Sequence, residues 1–331
     1  MLHWRIAVLV SAAIAISYLD RQTLPVAIKA ITRDIPLSNQ QFSYLQSAFL
    51  FSYAFMYAGG GKLADALGTR LGFTVIMLFW SFACLSHGLA VSFAMLAVSR
   101  FLLGMGEGGG FPAATRAVAE WFPVNERATG MGIINAGTAV GALVAPPLIA
   151  LVLAFANWRW IFFLTGSIGL LWTVWWRLAY FPPEQHPSLS TGERAQKQSL
   201  VSPAVPSRKI SWIVLLRVRE AWGLMTAKFL SDAAWYFYLF WLPKYLYDAR
   251  GFDIKAVGSL AWIPYAASGI GCLVGGGFSS YLVRRHFSVG LARKFALGLS
   301  AAVMPFILLV PHVRVSWAIA IFSLAYFGQQ S

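Results

Sequence analysis

The chain has 331 residues, of which 58% are hydrophobic and only 11% charged. A soluble domain carries about 25% charged residues, so this composition excludes an ordinary water-facing surface and predicts an all-α polytopic membrane protein with the lipid bilayer as its solvent. The net charge of +14 would suggest nucleic acid in a soluble protein, but here Lys and Arg sit in loops between apolar runs, and no nucleic-acid partner is expected.

A membrane span needs about 20 mostly apolar residues. His3 and Arg5 followed by Ile6 to Ile16 have the shape of a signal peptide, but the apolar stretch resumes after Asp20-Arg21, so this segment reads as the first span. Spans are predicted near 5–31, 39–63, 70–91, 93–115, 128–155 and 158–180. A polar stretch containing PPEQHPSLSTGERAQKQ follows, and then apolar runs near 220–246, 255–283, 289–310 and 315–331. The resulting domain plan is an N-terminal six-helix bundle over 1–181, a cytoplasmic central loop over 182–218 and a partial C-terminal bundle of four helices over 219–331. The last run stops at Ser331 without a flanking charge or cap, so the second bundle is expected to be truncated after about ten spans.

Loop charges set the orientation. With the N-terminus inside, Arg5, Lys62, Arg70, Arg116, Arg127 and Arg177 share its side with the basic residues of the central loop and Arg284, Arg285, Arg293 and Lys294. The other side holds only Lys29, Arg33, Arg159, Lys244, Arg250, Lys255 and Arg314. The N-terminus and central loop are therefore expected to be cytoplasmic. GGKLADALGTR (Gly60 to Arg70) closes the second span, and GGFSSYLVRRH (Gly276 to His286) closes the eighth in the same relative place. Such an echo is expected of two halves related by a repeat.

Charges inside a membrane cost roughly 2.5–3.5 kcal/mol each on insertion scales, so each needs a reason. Asp20, Glu107 and Asp232, with Arg21, Arg100 and Lys228, fall well inside spans. Asp20 and Arg21 are adjacent and so point about 100° apart; their partners must come from other helices. Arg100 and Glu107 lie two turns apart on one face, which they share with Gly104 and Gly108. Small residues permit close helix approach, so this face is expected against the first span, with Asp20 meeting Arg100 and Glu107 near Arg21. One reading is a static ion pair stapling helices together. The other makes Asp20 and Glu107 proton carriers, because a carboxylate poised between desolvation and a cation can gain and lose a proton. Arg21 cannot deprotonate, and its planar fork suits a substrate carboxylate. Tyr18, one turn before Arg21, and Tyr53 in the second span can offer hydroxyls to a polar ligand. Lys228 and Asp232, four residues apart, can pair with each other. The aromatic run from Trp235 to Trp241 suits packing and an interfacial belt.

Cys84 and Cys272 lie singly inside apolar segments, so neither a disulfide framework nor a metal site is expected. The five histidines are scattered, which disfavours a membrane enzyme. No GxxxxGK[ST] string occurs, so no nucleotide or other cofactor is expected. The natural energy source is a proton gradient, with sodium left open as the coupling ion.

The motifs together resemble the major facilitator superfamily. GGKLADALGTR is similar to its G-x-L-a-D-r-x-G-r-r loop, with Ala66 where Arg is common, and Arg100-x-x-x-Gly104-x-x-x-Gly108 resembles its fourth-helix motif. SYLDRQTLPVA, RFLLGMGEGGGFPAATRAVAEWFPVNERATGMGI and KFLSDAAWYFYLFWLPKYL look like the anion:cation symporter branch, and within it the bacterial hexuronate and sugar-acid proton symporters. The resemblance implies two six-helix bundles, alternating access and proton-coupled uptake of a hexuronate or aldonate across the inner membrane by a monomer. It further implies that Asp20 and Glu107 carry protons and that Arg21 holds the substrate carboxylate. Tyr18, Tyr53, Asn135 and Thr138 would line the pocket, and Gly61, Asp65, Gly68 and Arg70 would form the gating loop. Gly110 replaces a polar side chain of the branch's GEAGN-like string. Alternative readings are a symporter of another organic anion, a drug-type proton antiporter, which the fifth span GTAVGALVAPPLIA matches only in its first two glycines, and a fragment that does not transport.

Overall fold

The computed structural model of the chain describes residues 2–123, 126–187, 189–190, 214 and 216–330, and every regular element among them is helical. Six helices among the described residues are long and apolar enough to cross a membrane, by length and composition. The chain divides into two compact units, residues 1–205 and 206–331. The division falls inside the predicted central loop 182–218, most of which lies outside the described residues.

The first unit comprises α1 (Leu2–Asp34), α2 (Asn39–Gly88), α3 (Phe93–Glu107), α4 (Gly110–Trp121), α5 (Arg127–Phe155) and α6 (Arg159–Ala179). Ser38 and Gln41 form a reciprocal capping box that starts α2, satisfying amides that the first turn leaves without intrahelical partners. The 50 residues of α2 would reach about 75 Å as one straight rod, more than twice the ~30 Å of a bilayer core. Gly68 breaks the rod with φ +74° and ψ 160°, a left-handed conformation that residues with a Cβ rarely adopt. Beyond it a Cβ on Gly72 would lie 3.1 Å from Ala64 Cα, so the two limbs fold back on each other. They carry the spans predicted near 39–63 and 70–91. The single span predicted near 93–115 is divided between α3 and α4 at Gly108–Gly109, although both glycines keep right-handed helical dihedrals and the direction of the chain is preserved.

Glycines determine which helices touch. A Cβ on Gly137 would fall 2.3 Å from the Ser11 carbonyl, and one on Gly141 would fall 2.1 Å from that of Ala15. The backbones of α5 and α1 are therefore in direct contact, as small residues permit, and Ser11 donates to the Ile133 carbonyl across the same seam at 2.9 Å. The small-residue face of α3 packs elsewhere than expected. A Cβ on Gly104 would fall 2.2 Å from the Phe49 carbonyl, one on Gly106 2.5 Å from the Trp80 Cβ and one on Gly108 2.6 Å from the Tyr53 carbonyl. The Gly104–Gly108 face thus lies on the first limb of α2 and Gly106, on the other side of α3, on the second, because the closest approach to α1 is taken by the glycines of α5. Trp172 of α6 donates its indole N–H to the Leu9 carbonyl at 2.9 Å, which ties α6 to α1.

The second unit comprises α7 (Arg219–Asp248), α8 (Ile254–Leu260), α9 (Trp262–Arg284), α10 (Val289–Val303), a 3₁₀ segment Met304–His312 and α11 (Val315–Gln330). The run predicted near 255–283 is divided at Ala261. The one near 289–310 tightens to 3₁₀ geometry where Pro305 and Pro311 enter, since proline lacks the N–H that an α-helix needs. The buried ring of Tyr326 sits among Trp235, Tyr238 and Tyr265, with centroids 5.6, 5.6 and 5.2 Å away. Two members of the predicted aromatic run therefore build this unit's core. Lys228 and Asp232 pair at 2.8 Å, with the lysine side chain largely exposed, as their spacing suggested.

Candidate transport site

Arg21 lies in the middle of α1 with 0% exposure, and the surrounding elements close on it from three sides. Its Nε donates to Glu107 Oε2 at the end of α3, at 2.7 Å. Ser17, one turn earlier on α1, donates to the same oxygen at 2.6 Å. The ring of Tyr18 covers the guanidinium at 4.5 Å and that of Tyr53 at 4.6 Å, while Phe49 lies 5.6 Å away. Aromatic faces attract a cation through their quadrupole. With rings over its plane, bonds to the guanidinium form along its edge, as bidentate bonds to a carboxylate do. Glu107 is 1% exposed, and its Oε1 has no hydrogen-bond partner among the described residues.

The expected pairing of Glu107 with Arg21 is present; that of Asp20 with Arg100 is not. Asp20 accepts from the Trp80 indole N–H at 3.0 Å and from the Cys84 thiol at 3.4 Å, both on the second limb of α2. Arg100 donates to Gln46 Oε1 at 2.7 Å on the first limb and to the Arg21 carbonyl at 3.4 Å. The reason is geometric. Residues 20 and 21 diverge by about 100°, so turning Arg21 toward Glu107 aims Asp20 at the second limb of α2 and at α6. Arg100 reaches the opposite limb.

Asn135 is exposed on α5, and Thr138 is half-buried with its hydroxyl donated to the Asn135 carbonyl at 2.7 Å. Thr138 stands one turn before Gly141, whose Cβ would meet the Tyr18 Cβ at 2.9 Å. It is thus next to the Arg21 cluster, and Asn135 is a further turn away. The residues of the GGKLADALGTR loop gather at the kink of α2, remote in sequence and packing from Arg21. Asp65 forms an ion pair with Arg116 of α4. Arg116 Nε also meets Glu120 Oε1 at 2.9 Å, Thr69 donates to that oxygen at 2.5 Å, and Tyr180 donates to Oε2 at 2.6 Å. Arg70 donates to the Arg177 carbonyl at 2.6 Å and lies 3.8 Å over the Phe181 ring. Gly68 supplies the turn, and a Cβ on Gly61 would meet nothing within 4 Å.

Ser17, Gln46, Trp80 and Cys84 escaped the sequence reading. Ser17 had a signal, since it precedes Arg21 by four residues and so shares its helix face. Gln46 had one too, as an amide in the apolar run LQSAFLF. Trp80 and Cys84 look like ordinary span residues.

Residues 10–330 match the description Major Facilitator Superfamily. The chain belongs to this superfamily. It is a multi-pass membrane transporter and not an enzyme. It is 32% identical over 308 residues to a galacturonate transporter of Dickeya chrysanthemi, covering 92% of this chain and 89% of the relative. It is 32% identical over 311 residues to the hexuronate transporter of Escherichia coli strain K12, covering 92% of this chain and 71% of the relative. Among solved structures it is similar to a bacterial homologue of the human lysosomal transporter Spinster. The TM-score there is 0.76 at 18% identity, over 99% of this chain and 73% of that one. That likeness reports the fold of a facilitator. The buried Arg21–Glu107 pair is thus a charged pair in the first six helices of a superfamily transporter.

Proposed function

We propose that this transporter takes up a sugar acid, a hexuronate or aldonate, across the inner membrane together with protons. The N-terminus and central loop would face the cytoplasm, as the excess of Lys and Arg on their side favours. The observation that carries the reading is the guanidinium of Arg21, capped by Tyr18 and Tyr53 and held by Glu107 at 2.7 Å. The 32% identity to a galacturonate and a hexuronate transporter supports the substrate class.

The coupling follows from charge balance. While Glu107 is ionised, it neutralises Arg21 and competes with any other carboxylate for it. Oε2 is occupied by Ser17 and Arg21, so an arriving proton goes to Oε1. Protonation removes the competing charge, and the guanidinium edge becomes available to the substrate carboxylate. The site stays neutral in both states, with Arg21 balanced first by Glu107 and then by the substrate. A buried charge left unbalanced is strongly penalised, so one proton and one carboxylate are favoured together. Asp20 supplies a second protonatable carboxylate beside this exchange. Tyr18, Tyr53, Thr138 and Asn135 serve the hydroxyl-bearing remainder of the ligand.

The test is uptake of labelled galacturonate into proteoliposomes holding the 331-residue chain, with an imposed inward proton gradient. Glucuronate, galactonate and glucarate are expected to compete, and neutral galactose is expected not to. Competition by galactose equal to that by galacturonate would overturn the carboxylate anchor.

A further inference from the structure

Asp20 is the second acid of the buried cluster, and its surroundings differ from those of Glu107. Glu107 has a cation at 2.7 Å. Asp20 has 0% exposure and, among the described residues, no ion-pair partner; its direct partners are neutral donors. The Trp80 indole N–H reaches Oδ2 at 3.0 Å, and the Cys84 thiol reaches Oδ1 at 3.4 Å. The Thr165 hydroxyl of α6 lies 3.2 Å from the Cys84 sulfur. The charged groups acting on Asp20 at longer range are Glu107 and Arg100, both on α3. Each Asp20 oxygen is therefore capped by a donor from the second limb of α2, and α6 closes the shell.

We infer that Trp80, with Cys84 and Thr165, is a positioning residue that sets when Asp20 takes up and releases its proton, by holding the carboxylate in its ionised form through neutral donors. The geometry supports this in two ways. A hydrogen bond to the charged form favours that form, and in this dry site no cation among the described residues bonds Asp20 directly. Trp80 is also fixed from behind, because the Gly106 backbone of α3 packs on it so tightly that a Cβ there would sit 2.5 Å from the Trp80 Cβ. Gly106 adjoins Glu107. A shift of α3 that accompanies protonation of Glu107 would therefore press on the indole that holds Asp20, which links the two acids mechanically without contact between them.

The inference rests on the proton-coupled reading, and the experiment separates the two. The pH dependence of gradient-driven galacturonate uptake is measured in proteoliposomes for the wild type, Trp80→Phe, Thr165→Val and Asp20→Asn, beside galacturonate counterflow at symmetric pH. Removing a hydrogen bond to an ionised group is worth about 1.5–3 kcal/mol, which corresponds to a shift of about one to two pH units. Trp80→Phe keeps an aromatic ring but loses the N–H together with the five-membered ring of the buried indole. Its half-maximal uptake is expected to move about one unit or more toward alkaline pH, with the counterflow KM unchanged. Thr165→Val is expected to move it the same way by less, and Trp80→Phe is expected to add no shift in the Asp20→Asn background. Wild-type uptake that ignores the proton gradient would overturn the coupling reading and this inference with it. A coupled wild type with superimposable profiles for Trp80→Phe and Thr165→Val, or a mere loss of rate at every pH, would overturn the positioning role alone.

Discussion

Replacing Glu107 by Gln removes one charge at the centre of the proposed site and little else. The carboxamide has nearly the shape of the carboxylate, and its oxygen can still accept from Ser17 and Arg21, as Oε2 does at 2.6 and 2.7 Å. Its NH₂ takes the place of Oε1, which has no partner to lose. Breaking a buried ion pair by deleting one partner costs about 3–5 kcal/mol; with both hydrogen bonds kept, the loss should fall at or below the lower end, and the protein should fold. The functional consequence is larger. Arg21 is then permanently free of a competing anion, as though Glu107 were always protonated. Counterflow of galacturonate should persist within about threefold of wild type and lose the pH dependence that Glu107 imposes. Each coupled proton contributes about 1.4 kcal/mol per pH unit of gradient, a factor of ten in accumulation ratio. Concentrative uptake should therefore fall about tenfold for a gradient of one unit. Glu107→Gln proteoliposomes that concentrate galacturonate as wild type does would refute the assignment of a proton to Glu107. A folded variant with neither uptake nor counterflow would show that the pair is a structural staple.

Arg21→Lys keeps the charge but loses the planar fork and its stacking between Tyr18 and Tyr53; KM for uptake should rise tenfold or more, about 1.4 kcal/mol, as measured by initial rates over a concentration series. Gly141→Val places a Cβ 2.1 Å from the Ala15 carbonyl, and overpacking of this kind costs about 1–3 kcal/mol. A lowered Tm in detergent is expected for it, whereas Gly61→Val, with nothing within 4 Å of its Cβ, should leave Tm unchanged. Tyr180→Phe takes one donor from Glu120, where Oε2 accepts at 2.6 Å. A loss of about 1 kcal/mol is expected in a denaturant or thermal titration, without any change in KM.

The helices were legible because apolar run length is a one-dimensional signal. Every predicted span falls on helix, and Gly68 marks the reversal between two of them. The neighbours of those helices were not legible. Gly104 and Gly108 announced a close approach but not its partner, which is α2 and not α1. Arg21 and Glu107 could be paired from sequence because each needed an opposite charge. The same reasoning misassigned Asp20 to Arg100, since it counted charges only. Neutral donors reach Asp20 from Trp80 and Cys84, and an amide and a backbone carbonyl accept from Arg100. An indole N–H or a thiol in an apolar helix carries no mark in the sequence until the fold turns it toward a carboxylate. Arg116 was likewise counted only among the loop charges, and Glu120 and Tyr180 carried no mark of their own. They join Asp65 and Thr69 in one network only because the kink at Gly68 brings the end of α4 and the residue after α6 to the same place.

The most direct test of the link between proton and anion at Arg21 and Glu107 is substrate-induced proton entry. Proteoliposomes with the 331-residue chain and an internal pH-sensitive dye receive external galacturonate at equal pH on both sides, with the membrane potential clamped. The account predicts prompt internal acidification for the wild type, saturating with galacturonate, and one proton fewer per galacturonate for Glu107→Gln although labelled galacturonate still enters. Galacturonate entry without acidification in the wild type, or equal acidification in both proteins, would contradict it.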